Sequence, residues 1–344
     1  MNYGIWTPVP HAIRSEPRMA AAVATIQQRG EGAGRDCGFD FAVEVLQTAE
    51  RLGFDRTLVA QRYLGPDLEA WVLATALAMQ TEAMQMIIAV HPGIVSPQLV
   101  AKMGATLDRI SGGRAAINLV NGWWEEEYNM FGNGAWLART EARYQRMDEF
   151  LEVLISLWSE NGADVAGEYF SIQNSRMPST PLSSPYPPIY TASMSEAGKD
   201  SAAKAGDYWV VTPKSSKVTH RDFAQVSQEM RDETAAMLDR AAKLGRSIEV
   251  GITGHVICAD TQEEAERRAD ELLAYGKQGT LNMIVARGVG PGLVGSPEVV
   301  AERLSIYEEM GVTFNLLHFH PMIDGLQYFA ERVMPLVGAG WRAA

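Results

Sequence analysis

The sequence predicts an α/β fold, a parallel (β/α)8 barrel of the TIM type with insertions, and three observations carry that expectation. Short apolar runs alternate with helix-like amphipathic runs along the chain, with no internal repeat, as a parallel sheet with crossover helices requires. Eight strand-like runs can be counted. The run Ala115–Leu119 passes into Asn121-Gly122, two tryptophans and three glutamates. A buried strand that ends in polar, glycine and aromatic residues is where such a barrel keeps its chemistry. A length of 344 residues is ordinary for a barrel with insertions, so one domain over 1–344 is expected.

The elements follow in order. Tyr3 to Pro8 reads as strand one, and Pro8 to Gly34 as a long loop with some helix. Apolar spacing at Phe41, Val45, Leu46 and Ala49 predicts a helix from Phe39 to Leu52, stopped by Gly53. Strand two is Arg56 to Gln61, helix two Trp71 to Met79, and strand three Met84 to Val90. Ser96 as N-cap and Pro97 at the first helical position open a helix to Arg109. The central strand and a long helix from Arg139 to Trp158 come next. Residues 160–188 are too long for a barrel connection and read as an insertion with a small hairpin near Ala166 to Ile172. Strands five to eight are Ile189 to Ser193, Tyr208 to Val211, Glu249 to Cys258 and Phe314 to Phe319. Helices are expected within Lys214 to Gly245, over Pro297 to Glu309 after the Ser296 cap, and over Leu326 to Val337.

Bulk properties exclude several classes. A net charge of −12 lacks the basic footprint that nucleic acid requires. No apolar run reaches the ~18 residues that cross a membrane, and the start MNYGIWTPVP has no signal-peptide pattern. The two cysteines, Cys37 and Cys258, form neither a disulfide framework nor a metal spacing. A cytoplasmic location is the expectation.

The strand ends that could carry chemistry are Ala60-Gln61, Val90-His91, Asn118 to Trp123, Ser193 to Ser195, Thr212, Thr253 to His255 and His318 to His320. Asn118 is an amide inside an apolar strand, so it is either a satisfied core amide or a ligand contact. His318-x-His320, completed by His91 or His255, could hold a metal, but no carboxylate stands at a neighbouring strand end. No metal site is therefore assigned. Ser193 to Gly198 ends a strand and opens a helix, which suits either a phosphate or a plain N-cap. Gly288 to Gly292 is no dinucleotide fingerprint, because Leu293 stands where the third glycine belongs.

Three longer words are more specific: ATLDRISGGRAAINLVNGW (105–123), ARYQRMDEFLEVLISLW (142–158) and YPPIYTASMSEAGKDSAAKAGDYWVV (186–211). In them the chain resembles the flavin-dependent monooxygenases of the bacterial-luciferase-like superfamily. Within it the chain is most similar to the dimethylsulfone, alkanesulfonate and pyrimidine monooxygenase branch. The likeness runs from about residue 3 to 337 and implies reduced flavin mononucleotide (FMN) and O2 as cofactors. Carried over by position, it implies flavin contacts at Ala60, Gln61, Asn118, Glu127, Arg143, Tyr144 and Ser195. The same likeness points to Asn118, His255, His320 and His11 for the reaction centre, with Trp123 and Trp124 as possible walls.

Departures narrow what the resemblance implies. Ala89 stands where the pyrimidine enzymes hold a threonine, which argues against pyrimidine ring opening. Thr253-Gly254-His255 matches the Arg-x-His of the sulfonate enzymes but lacks the cation, and Tyr63 to Pro66 lacks their cysteine. A neutral sulfone-like substrate is therefore expected ahead of a sulfonate. The resemblance further implies a separate NAD(P)H flavin reductase, a lid at about 276–294, and a homodimer or homotetramer. The rival readings are a monooxygenase opening or dehalogenating a ring, a deazaflavin-dependent oxidoreductase, a metal-dependent hydrolase and a non-catalytic flavin binder.

Overall fold

The structure is a computed structural model that describes all residues except 12, 14–15, 26–27, 29–33, 123, 133, 160–161, 214–220, 277–287 and 338–344. Eight parallel strands form the barrel: β1 Asn2–Trp6, β2 Arg56–Val59, β3 Gln85–Val90, β4 Ala115–Leu119, β5 Ile189–Thr191, β6 Tyr208–Val211, β7 Glu249–Cys258 and β8 Val312–Phe319. Each of β1 to β5 pairs with the next, β8 pairs with β1 and β7, and β6 closes the ring on β7. A two-residue strand, Val294–Gly295, adds to the outer end of β7.

Strand alternation assigns every second residue to the barrel interior. The lower interior is built from Arg56, Gln85, Tyr190, Tyr208 and Phe314. The rings of Tyr190 and Tyr208 stack at 4.3 Å, and Phe314 stands edge-on to both at 5.7 and 5.5 Å. The Arg56 guanidinium donates to the Tyr190 hydroxyl at 3.0 Å, and that hydroxyl donates to Gln85 Oε1 at 2.8 Å. Gly251 makes this layer possible, because a Cβ there would lie 2.2 Å from the Phe314 ring. Above it Leu58, Ile87, Ala116, Val210 and Leu316 form an apolar plug. Outward-facing residues such as Ile5, Val59, Ile88, Ile117 and Leu119 pack into the larger core under the helices.

Helix ends follow the expected chemistry. Ser96 accepts from the Leu99 N–H at 3.3 Å with Pro97 in the first turn, and Gly112 closes that helix (Pro97–Ser111) at φ 74°. The insertion does carry an antiparallel hairpin, Ala163–Ala166 with Ser171–Ser175. Two carboxylates fasten it to the barrel. Glu149 accepts from the backbone N–H groups of Glu168, Tyr169 and Phe170 at 2.7–2.9 Å. Buried Asp108 accepts from those of Leu182 and Ser183 at 2.7 Å each.

Several elements differ from expectation. Strand two stops at Val59 and strand five at Thr191, short of the Gln61 and Ser193 expected. The last helix is Met322–Arg332, followed by a 3-10 turn at Met334–Leu336, because Pro335 has no N–H with which to continue it. The helix Gln262–Gly276 was not foreseen; its charged surface hides the apolar stripe of Ala265, Ala269 and Leu272. Glu125–Asn129 is a short helix whose three glutamates face its positive end. Most of the expected lid, residues 277–287, lies outside the described residues. Among the described residues no helix is long and apolar enough to cross a membrane.

Candidate active site

At the C-terminal ends of the strands lies a cavity of ≈ 490 Å³, lined by Trp6, Asn118, Ser193, Ser195, Thr253, His255, His318 and several apolar side chains. Asn118 reaches it from the inner face of β4, 6% exposed, and its Oδ1 is buried with no hydrogen-bond partner. An amide left so costs about 1–3 kcal/mol. Its neighbour across the sheet is Ala89, whose small side chain leaves room beside it.

The opposite wall is imidazole and indole. His255 on β7 and His318 on β8 are register partners with ring centres 4.8 Å apart, and Trp6 lies 4.6 Å from His318. Trp6 Nε1 donates to Thr253 Oγ1 at 2.8 Å. His320 Nε2 and His255 Nδ1 share a hydrogen bond of 3.1 Å. Burial, with the neighbouring imidazoles adding to it, holds His255 and His318 well below the ordinary histidine range, and burial holds His320 at about 4. All three are neutral at neutral pH, each with one ring N–H and one acceptor nitrogen.

The third wall is hydroxyl. Ser195 caps the helix Glu196–Ala205, accepting from Gly198 N–H at 3.2 Å. Its Oγ lies 3.1 Å from Ser193 Oγ, to which Tyr144 donates at 2.6 Å. Gly198 must be glycine here, because a Cβ would fall 2.0 Å from Ser193 Oγ. Three hydroxyls and free N–H groups at a helix start form a receptor for an anionic group.

The structure thus brings Asn118, His255 and Ser195 to one cavity, with Tyr144 and His320 one hydrogen bond behind it. Other expected residues are occupied elsewhere. Gln61 Oε1 accepts from the Ala70 N–H at 2.7 Å, and buried Ala60 precedes it. Glu127 accepts from Tyr63 and Leu64 N–H at 2.9 and 3.2 Å and pairs with Arg62 at 3.2 Å. Arg143 donates to Leu137 O at 2.6 Å and lies over the Trp136 ring at 4.3 Å. His11 is held by Asp67 through both its backbone N–H and its ring, close enough to His318 to depress that ring's pKa. Trp123 lies outside the described residues, and Trp124 lies against Arg62 at 4.2 Å. Among the described residues no group of three or more His, Cys, Asp or Glu could hold a metal. Trp6 is a cavity residue that the sequence reading passed over; its place two residues after Gly4 on the inner face of β1 was the available signal.

The model of the luciferase-like monooxygenase family matches residues 19–313. The chain belongs to that family. It is accordingly a flavin-dependent monooxygenase. Solved structures share the fold at low identity. A riboflavin lyase (RcaE) with modified FMN and riboflavin superposes with a TM-score of 0.74 at 18% identity, over 100% of this chain and 94% of that one. The oxygenating constituent of 3,6-diketocamphane monooxygenase from Pseudomonas putida, in complex with FMN, gives 0.71 at 16%, over 98% and 99%. DmoA from Hyphomicrobium sulfonivorans gives 0.70 at 18%, over 100% and 90%.

Proposed function

We propose that this chain is the oxygenase component of a two-component system that uses reduced FMN and O2 to oxidise a small, neutral organic molecule, with sulfones the first candidates. The observation that carries the reading is the unpartnered Oδ1 of Asn118, in one cavity with the hydroxyl cluster at a helix start. The two ends match the two demands of a flavin mononucleotide. Asn118 supplies an amide for the ring edge, while Ser193, Ser195 and Tyr144 receive the phosphate. FMN accompanies one of the structural neighbours and a modified FMN another.

Bound there, the reduced flavin supplies the two electrons that activate O2. The protein's own tasks are to bind, orient and exclude water. Trp6, Leu58, Val120, Val210 and Leu316 give the cavity apolar walls, and the neutral imidazoles of His255 and His318 can hold or move a proton beside it. No Lys or Arg lines the cavity among the described residues, so these offer a sulfonate no charge-assisted partner. Electrons come from a separate NAD(P)H-dependent flavin reductase, consistent with a sequence that lacks a dinucleotide fingerprint. Exposed Val72, Met79, Leu99 and Ile110 on the neighbouring helices Ala70–Ala78 and Pro97–Ser111 support self-association as a dimer or tetramer.

The test is an anaerobic titration with reduced FMN and reduced riboflavin, then O2 with a panel of sulfones, sulfonates and heterocycles. The proposal expects FMN to bind more tightly than riboflavin and a sulfone to couple O2 uptake to product. Binding of a reduced deazaflavin in place of FMN would overturn it.

A further inference from the structure

Behind the His255 wall lies a second cavity of ≈ 330 Å³, lined by His320, Cys258, Asp260, Arg268, Asp324 and Tyr328 among others. Its lining is mainly polar and charged, unlike that of the first cavity. Among the described residues a hydrogen-bonded side-chain pair joins the two linings: His320 lines the second, His255 lines the first, and their rings share the 3.1 Å hydrogen bond. His255 itself is 2% exposed. Any proton that reaches it by this side must come through His320.

The geometry points to a two-histidine proton relay, His320 to His255, that delivers a proton from the second cavity to the catalytic cavity. It makes His320 a positioning and proton-conducting residue that touches no substrate. The relay's role in turnover rests on the flavin reading above. The chemistry requires such a supply. With the reduced flavin bound as its anion, the overall change is anion + O2 + substrate + H⁺ → oxidised flavin + oxygenated substrate + H2O. O2 takes four electrons, two from the flavin and two from the substrate, and one proton must enter the site. His255, almost wholly buried, has little direct contact with water from which to take it.

The relay works by tautomer exchange. Both rings are neutral, so one N–H lies between Nε2 of His320 and Nδ1 of His255. A proton taken up by one ring on the second-cavity side releases another at the far nitrogen of the pair. The far edge of His255 runs against Gly288, where a Cβ would fall 2.5 Å from Nε2, so this glycine leaves that nitrogen free. The titratable and charged groups that bear on the pair are His318, on the catalytic side and itself influenced by His11, and Asp260, Asp324, Arg268, Tyr328 and Cys258 around His320.

Two measurements test this. The first needs no flavin: histidine-selective ¹⁵N NMR of the ligand-free chain follows exchange of the His255 ring N–H with water. In His320→Gln, whose amide keeps a hydrogen bond to His255 but cannot pass a proton on, exchange slows by about tenfold or more. An unchanged rate overturns the relay, whether or not the protein binds flavin. The second uses protein in excess over reduced FMN and follows reoxidation by O2, which consumes one proton even without substrate (anion + O2 + H⁺ → oxidised flavin + H2O2). The relay predicts about tenfold slower reoxidation in His320→Ala, with a larger solvent isotope effect, and recovery on adding imidazole. Recovery in His320→Gln instead would assign His320 a packing role and overturn the proposal. Failure of the wild-type chain to bind reduced FMN counts against the flavin reading and leaves the NMR result to decide the relay.

Discussion

The floor and the mouth of the barrel interior are built from the same eight strands and treat polar atoms in opposite ways. On the floor, Arg56, Tyr190 and Gln85 satisfy one another, and Tyr190, Tyr208 and Phe314 stack around them. Burial pushes the Tyr190 hydroxyl far above the ordinary phenol range, so it remains a neutral donor. At the mouth, Asn118 Oδ1, His318 Nδ1 and His91 Nδ1 are buried without partners. Unpaired buried atoms oppose folding, whereas a closed polar and aromatic layer does not. The contrast assigns stability to the floor and ligand valences to the mouth, the division expected of a barrel whose chemistry lies at the C-terminal strand ends.

The sharpest way to break this contrast is Phe314→Ala. Removing the ring from the floor should lower unfolding free energy by about 3–5 kcal/mol, read by urea titration. Reduced-FMN affinity of the molecules that remain folded should be unchanged. A loss of affinity with little loss of stability would reverse the assignment.

Acid should act on the mouth before the floor. Burial and the charge of Arg62 hold His91 at about 4 in the folded chain, below its unfolded value near 6.5. The unfolded chain therefore binds more protons, so the stability this site carries is complete above about pH 6.5 and lost as pH falls toward 4. The loss from His91 amounts to roughly 3 kcal/mol at most. His91→Phe should flatten that part of the stability-versus-pH curve, and an unaltered slope would contradict the account.

Two smaller effects sharpen the division. Asn315 lies on the outer face of β8, fully buried, with both amide atoms unpartnered and outside the lining of the catalytic cavity. Asn315→Leu should raise stability by about 1–2 kcal/mol without altering flavin affinity, since an orphan away from the mouth serves no ligand. Tyr144→Phe removes the hydroxyl that donates to Ser193. It should cost about 1 kcal/mol of FMN binding and narrow the preference for FMN over riboflavin.

Much of the fold was legible because a parallel barrel writes its strands as apolar runs between capped helices. Ala115–Leu119, Tyr208–Val211 and Glu249–Cys258 carry the bounds the pattern predicts. The inner face was harder to read, because strands buried on both sides show no alternation. Trp6 was missed for that reason. Within the site, Asn118 and Ser195 stood out as polar groups at strand ends. The partners of Glu127, Arg143 and Gln61 could not be read, since each is fixed by backbone atoms, those of Glu127 brought near by tertiary folding and those of Gln61 and Arg143 by the path of a nearby loop. The His255–His320 bond joins residues 65 positions apart, one on β7 and one just past the end of β8, a contact that depends on register.

The central claim is that the unpartnered amide of Asn118 is kept for a ligand. The direct measurement compares wild type with Asn118→Leu, which keeps the shape and removes the polar atoms, by anaerobic titration with reduced FMN and by urea unfolding of the same samples. The account predicts affinity lower by about tenfold or more, with stability unchanged or raised by about 1 kcal/mol. Wild-type affinity together with a marked loss of stability would make Asn118 a core amide and contradict it.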